Sequence, residues 1–168
     1  MIAAFNRRRK FDPMDYPRIF RFVMSSWPPY LGAGIAVEDI SRDWRIVRVA
    51  MKLRWYNRNY VNSHFGGNLF SMTDPFYMLM LIRNLGWQYI VWDTSAKIKF
   101  IQPGRGKVSA TFTLDEKRLD EIRQKAALGE KLLERFRADV LDEEGARVAV
   151  VTKTLYIKKK VSKSESHQ

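Results

Sequence analysis

The sequence predicts an α+β fold in which one antiparallel sheet curves around one long, buried helix. Three observations carry that expectation. Residues 66–86 are apolar on every side of a helical wheel, and such a helix must be buried all round. Strand-like segments outnumber helical ones and are joined by short turns, which makes the sheet antiparallel. At 168 residues, 46% hydrophobic and 13% aromatic, the chain is sized for one domain with a substantial core.

Residues 1–14 read as a basic, disordered arm containing Arg7, Arg8, Arg9 and Lys10 and ending near Asp12-Pro13. From Asp15 to Trp27, Tyr16, Ile19, Phe20, Phe22, Val23 and Trp27 recur at near-helical spacing, so a short amphipathic helix is expected to stop before Pro28-Pro29. Residues 28–34 then connect to the sheet. Ile35–Ile40 and Ile46–Leu53 form a predicted hairpin across Ser41–Asp43. In the second run Val47, Val49, Met51 and Leu53 alternate with Arg48, Ala50, Lys52 and Arg54, a strand with one wet face.

After a loop over 55–65 comes the apolar helix. The next strand, Tyr89–Phe100, takes Ile90, Trp92, Ala96, Ile98 and Phe100 as its apolar face. It leads through Gln102-Pro103-Gly104-Arg105-Gly106 to a returning strand, Lys107–Leu114. Asp115–Leu128 is rich in Glu, Lys, Arg and Ala, with Asp115 as N-cap and Gly129 as C-cap of a surface helix. Leu133–Leu141 and Ala146–Lys158 pair across Asp142-Glu143-Glu144-Gly145. Residues 15–158 are thus the domain, and 159–168 a basic polar tail. One helix wrapped by one antiparallel sheet is the hot-dog arrangement, and enclosing so apolar a helix in so short a chain calls for a second subunit.

Composition narrows the chemistry. Without cysteine there is neither a disulfide nor a thiolate zinc site. The two histidines are His64 and His167, and no metal or other cofactor is expected. The net charge of +12 resides mostly in the two ends, where it solubilises the chain or touches anionic surfaces weakly. The basic first ten residues are followed by no apolar signal segment, and the most apolar run, Phe76–Ile82, is far below the ~20 residues that span a bilayer. A cytoplasmic protein with no membrane partner is expected.

The informative stretch runs from Asn59 to Asp74, with His64-Phe65-Gly66-Gly67 at the mouth of the apolar helix. Two glycines there would let a ligand approach backbone N–H groups that lack intrahelical partners. Such donors suit the oxyanion of an acyl transfer. Equally, the glycines could simply permit a tight turn. Asp74 precedes Pro75, which leaves two local structures open: Asp74 capping a helix that starts at Pro75, or a helix from Gly67 that bends there. No Gly-x-Ser-x-Gly elbow or P-loop is present, and Gly104-Arg105-Gly106 reads as a turn between strands. Asp93, beside Trp92, is a second carboxylate of interest, or a residue paired with a nearby base.

The spacing of Gly66, Gly67 and Asp74 resembles the hot-dog thioesterases of the phenylacetyl-CoA type. The longer pattern Trp55-Tyr56-Asn57-Arg58-Asn59-Tyr60, His64-Phe65-Gly66-Gly67 and Thr73-Asp74-Pro75 resembles an uncharacterised bacterial hot-dog family. This chain differs in placing Phe65 where the thioesterases carry histidine, and in following Asp74 with proline. The resemblance implies a homodimer, with a dimer of dimers as a further option, active sites at the subunit interface, and acyl-CoA thioesters as substrates. Gly66 and Gly67 would polarise the thioester carbonyl and Asp74 would act as general base or nucleophile. His64 and Asn59 would line the mouth, and Lys97, Lys99, Arg105 and Lys107 would meet the CoA phosphates. Two other functions compete: a non-catalytic acyl-thioester binder, and a nucleic-acid-associated protein using the basic ends with Trp55, Tyr56 and Tyr60 as a stacking surface.

Overall fold

Inward-facing apolar residues at period two build the sheet. In the computed structural model, which describes residues 12–160, six strands are hydrogen-bonded in the order β1-β2-β4-β5-β6-β3. They are β1 (Ile35–Ile40), β2 (Ile46–Lys52), β3 (Tyr89–Phe100), β4 (Lys107–Thr113), β5 (Leu132–Leu141) and β6 (Arg147–Lys159). Every pairing is antiparallel. Val108, Ala110 and Phe112 of β4 and Phe136, Ala138 and Val140 of β5 are buried on the concave face. Against that face lie α3 (Gly66–Ser71) and α4 (Phe76–Leu85), with Leu69, Phe76, Tyr77, Met80, Leu81 and Leu85 buried. This is the hot-dog arrangement expected from the sequence.

Most elements fall where the periodicity puts them. The β1–β2 and β5–β6 hairpins form, the second closed by Asp142, whose Oδ1 accepts from the backbone N–H of Glu144 at 3.1 Å and of Ala146 at 2.8 Å. The Glu/Lys/Arg-rich segment is helix α5 (Glu116–Ala127). Asp115 caps it by accepting from Arg118 N–H at 3.1 Å, and Gly129 follows it with φ +82°.

Proline accounts for two departures. The amphipathic helix is shorter than expected, α1 (Pro17–Ser25), and the supposed connector is itself a helix, α2 (Pro28–Ala33). Pro28-Pro29 starts α2, because a ring with φ fixed near −65° and no N–H suits the first helical positions. The central helix is two helices rather than one, with the chain leaving helical geometry between Ser71 and Phe76 and a cis peptide at Asp74-Pro75. Neither a bent continuous helix nor an Asp74 cap is present. Pro75 is itself the N-cap residue of α4, and no side chain caps that helix.

Two further departures concern β3. It does not pair with β4 as a hairpin. It crosses to the far edge beside β6, and β4 inserts between β2 and β5. The link over Gly104–Gly106 instead docks on the loop before α3: Gly104 O accepts from His64 N–H at 3.0 Å, and Gly106 O from Leu53 N–H at 2.8 Å. A bulge between Asp93 and Ser95 also reverses the side-chain parity of β3. Val91 and Asp93 pair with the inward Ile157 and Leu155, while beyond the bulge Ala96 and Ile98 pair with the inward Lys153 and Val151. Ile90 and Trp92 therefore lie on the opposite face, where Trp92 stacks on Tyr156 with centroids 4.4 Å apart.

The packed body also reaches beyond 15–158. Met14 is buried and its carbonyl accepts from the Trp44 indole at 3.0 Å, while Lys160 N–H donates to Gln88 O at 2.8 Å. The remaining residues of the expected arm and tail, 1–11 and 161–168, lie outside those described.

Glycine substitutions test this packing. A Cβ at Gly104 would sit 2.8 Å from Val148 and 3.2 Å from Val108, both fully buried, so Gly104→Ala should destabilise by ~1–3 kcal/mol through overpacking. At Gly32, exposed in α2, a Cβ meets nothing within 4 Å, and Gly32→Ala should be neutral or stabilise by up to ~1 kcal/mol. Urea denaturation of both variants measures the contrast, and equal effects would reject it.

Candidate active site

Lys153 stands at an inward position of β6, between Val151 and Leu155, with only 3% of its side chain exposed. A lone ammonium there would be prohibitively desolvated. Two carboxylates meet it. Nζ donates to Asp93 Oδ2 at 2.8 Å and to Asp74 Oδ1. The β3 bulge turns Asp93 inward, and the interruption between α3 and α4 brings Asp74 over the sheet. Asp74 is the open end of the cluster, its side chain 58% exposed against 21% for Asp93. Tyr30 of α2 secures the break from the other side, its hydroxyl donating to the Asp74 carbonyl and, at 3.4 Å, to that of Ser71.

Burial raises the Asp93 carboxyl above its ordinary value, Lys153 pulls it back, and the charge of Asp74 adds to the rise. One Asp93 oxygen, Oδ1, is buried without a hydrogen-bond partner. Burial, and then the charge of Asp74, push the Tyr30 phenol up, so it remains a donor throughout the ordinary pH range.

The loop before α3 is organised by its polar side chains. Asn59 Oδ1 accepts from Ser63 N–H at 3.0 Å and Val61 N–H at 3.1 Å, and its Nδ2 donates to Ser63 Oγ at 2.9 Å. His64 is 2% exposed, with Nε2 3.1 Å from Gly106 O and Nδ1 unpartnered. In this chain both residues hold the loop together rather than line an opening. Gly66 and Gly67 do not adopt a positive φ, so no tight turn requires them. Their need is close approach: the Phe100 ring lies 2.9 Å from where a Gly66 Cβ would stand, and the Phe65 ring lies closer still to Gly67. The N–H groups of Gly66 and Gly67 have no hydrogen-bond partner among the described residues.

A family model described as "Domain of unknown function (DUF4442)" matches residues 17–157, most of the chain. The protein belongs to the DUF4442 family. No curated protein matches it in sequence. Among solved structures, it is similar to a Pseudomonas aeruginosa protein of unknown function, described as a probable thioesterase. That match has 18% identity and a TM-score of 0.74, over 84% of this chain and 95% of the other. A thioesterase from Haemophilus influenzae matches at 15% identity and TM-score 0.64, over 95% and 97%. The E. coli PaaI protein, from the phenylacetic acid degradation operon, matches at 13% identity and TM-score 0.54, over 84% and 89%. These likenesses establish the fold, the hot-dog fold.

Within this DUF4442 chain the expected site residues do not form one cluster. Gly67 lies in the first turn of α3, while Asp74 lies three residues past its last residue, Ser71, in the non-helical segment before α4. Lys97 and Lys99 are exposed on the outward face of β3 beyond the bulge, and Arg105 is exposed in the link. Lys107 is committed to Glu38 at 2.7 Å, and its strand stands three places from β3 in the sheet, ~14 Å away. Lys153 and Tyr30 were not anticipated. A signal for Lys153 was present: it occupies the apolar parity of β6, in line with Ala149, Val151, Leu155 and Ile157.

Two titration experiments follow. Lys153→Met leaves two carboxylates facing each other, so the folded state should retain a proton on Asp93 that the unfolded chain releases above about pH 4. The loss of stability, ~3–5 kcal/mol near neutrality, should therefore shrink as pH falls from neutrality toward the ordinary aspartate value of about 4. A deficit independent of pH would contradict the coupling. His64 behaves oppositely to an ion-paired histidine. Burial lowers its pKa, so below its unfolded value of about 6.5 the unfolded chain takes up a proton that the folded chain refuses. Wild-type stability should fall as pH drops through that window, and His64→Gln should flatten the slope.

Proposed function

We propose that this protein hydrolyses acyl-CoA thioesters, with Asp74 as the catalytic carboxylate. The carrying observation is a carboxylate open to solvent on a hot-dog fold and held by a hydrogen bond from a buried lysine. Asp74 takes a proton from the attacking water. The water oxygen bonds to the thioester carbonyl carbon, the C–S bond breaks, and Asp74 passes its proton to the departing sulfur, so that CoA leaves as the thiol and the carboxylate is restored. N–H groups of Gly66 and Gly67 receive the carbonyl oxygen. Lys97 and Lys99 are suited to the CoA phosphates, with Arg105 nearer the mouth.

The active unit is a homodimer in a cytoplasmic setting. Gly67 stands at the N-terminal end of α3 and Asp74 beyond its C-terminal end, so in this reading the N–H groups of one subunit face Asp74 of the other. Two features support that assembly. Beyond its bulge, β3 is an edge strand whose inward positions Ala96 and Phe100 are exposed and Ile98 half-buried. Met78, Leu79 and Ile82 of α4 are also only partly covered. Pairing β3 with its copy would cover both.

One observation favours a second reading, a non-catalytic thioester binder: the Asp74 carboxylate is already engaged by Lys153. A panel of acyl-CoA thioesters, followed by release of free thiol, separates the two. Asp74→Asn should reduce turnover by about 10²-fold or more and cost only ~1 kcal/mol of stability, since the side chain is largely exposed. Activity retained in Asp74→Asn rejects the base role. Binding of thioesters without turnover by the wild type favours the binder. Light scattering at micromolar concentration should give a dimer, and a monodisperse monomer would sink the two-subunit site.

A further inference from the structure

Helix α1 is apolar on more of its circumference than the domain uses. Phe20 is buried edge-on to Trp44, with centroids 4.9 Å apart, and Met24 is partly buried beside it. On the other side of the helix Ile19, Phe22 and Val23 fall within about 100° of arc and face solvent, Phe22 with 72% of its surface exposed. Trp27 and Leu31, where α1 passes into α2, extend the exposed surface, at 47% and 65%. Contiguous apolar surface of this kind marks an interaction site.

Charge identifies the occupant. Between residues 7 and 25 there are six basic residues, Arg7, Arg8, Arg9, Lys10, Arg18 and Arg21, against two acidic ones, and among the six Arg21 is turned to β1, donating to Glu38 O at 2.8 Å. Both acids are engaged with the protein: Asp12 caps the N–H of Met14 at 2.9 Å, and Asp15 pairs with Arg83 at 2.7 Å. An exposed apolar strip with aromatic residues, flanked by uncompensated basic charge, suits the interface of an anionic bilayer rather than its interior. Nucleic acid would use the charge and leave Phe22 and Leu31 idle. A second copy of the chain is placed elsewhere by the sheet, since α1 packs along β1 and the proposed subunit contact uses β3, the opposite edge.

The geometry points to a peripheral docking surface for anionic lipid, made by the outer face of α1 with Trp27 and Leu31. This reverses the expectation of no membrane partner. It does not need the hydrolase chemistry, though its exclusion of a second copy rests on the β3 pairing proposed above, and it involves none of the residues placed in the active site. No helix among the described residues is long and apolar enough to cross a membrane, and the contact is with the surface.

The test is co-sedimentation of the full chain with phosphatidylcholine vesicles containing phosphatidylglycerol, and with phosphatidylcholine alone. The anionic vesicles should bind it, less well as salt rises, and the neutral ones should not. The double variant Phe22→Gln with Leu31→Gln keeps the charge and should bind about tenfold less or weaker still, with melting temperature and oligomeric mass unchanged. Failure of the wild type to bind anionic vesicles overturns the proposal. So does equal binding by the double variant, which would leave the basic residues as the whole cause. A double variant that loses its oligomeric mass overturns it too, by making the face a subunit contact.

Discussion

An ammonium group sealed inside the sheet sets the terms for the rest of this structure. Desolvating Lys153 costs several kcal/mol, recovered only if carboxylates reach it with good geometry. Neither acid is there by default. Asp93 would point outward on a regular β3, and one extra residue at the bulge turns it inward. Asp74 comes from the helical layer, at the only place where that layer is not helical. A continuous helix would spend every backbone group on itself. The interruption turns the Asp74 carbonyl to the Tyr30 hydroxyl and carries the Asp74 side chain to Lys153, while the Ser71 carbonyl accepts from Asp74 N–H at 3.1 Å.

The cluster holds two negative charges and one positive, and its members differ in access. Asp93 and Lys153 are enclosed, so their mutual orientation is fixed by packing, while Asp74 stands half outside. An exposed aspartate on a loop would sample several rotamers; here an immobile donor selects one. Such positioning from beneath is what a general base requires. It also competes with proton abstraction, because the oxygen that accepts from Lys153 is already engaged.

The strands were legible because their chemistry is local. Period-two alternation in β2 and β4, Asp142 closing a turn and Asp115 capping a helix each need only neighbouring residues. What escaped needs a second element. The bulge in β3 leaves no mark in sequence, since Asp-Thr-Ser reads as ordinary alternation, and assigning Trp92 and Phe100 to one face followed from that. The place of β3 at the far edge depends on which strands compete for β4, not on the link between them. Pro28 and Pro75 were both recognised as punctuation, yet proline opens a helix as readily as it closes one. His64, expected to line the mouth, brackets loop and link, a contact visible only once Gly104 and Gly106 are in place.

The two edges of the sheet are treated differently, and that asymmetry bears on assembly. An unpaired strand edge invites pairing with another chain. At β1 the invitation is withdrawn: Val37 N–H donates to Ser25 Oγ at 3.0 Å and Glu38 O accepts from Arg21 at 2.8 Å, so side chains of α1 occupy edge groups beside the β1 irregularity. At β3 no helix intervenes, the strand is 12 residues long, and its inner face beyond the bulge is apolar and bare. Helix α1 thus has two duties that explain its composition. One side, with Phe20, Ser25 and Arg21, closes the edge where a second subunit would be misplaced. The remaining apolar side serves neither the core nor the proposed dimer, and a surface partner is what remains for it.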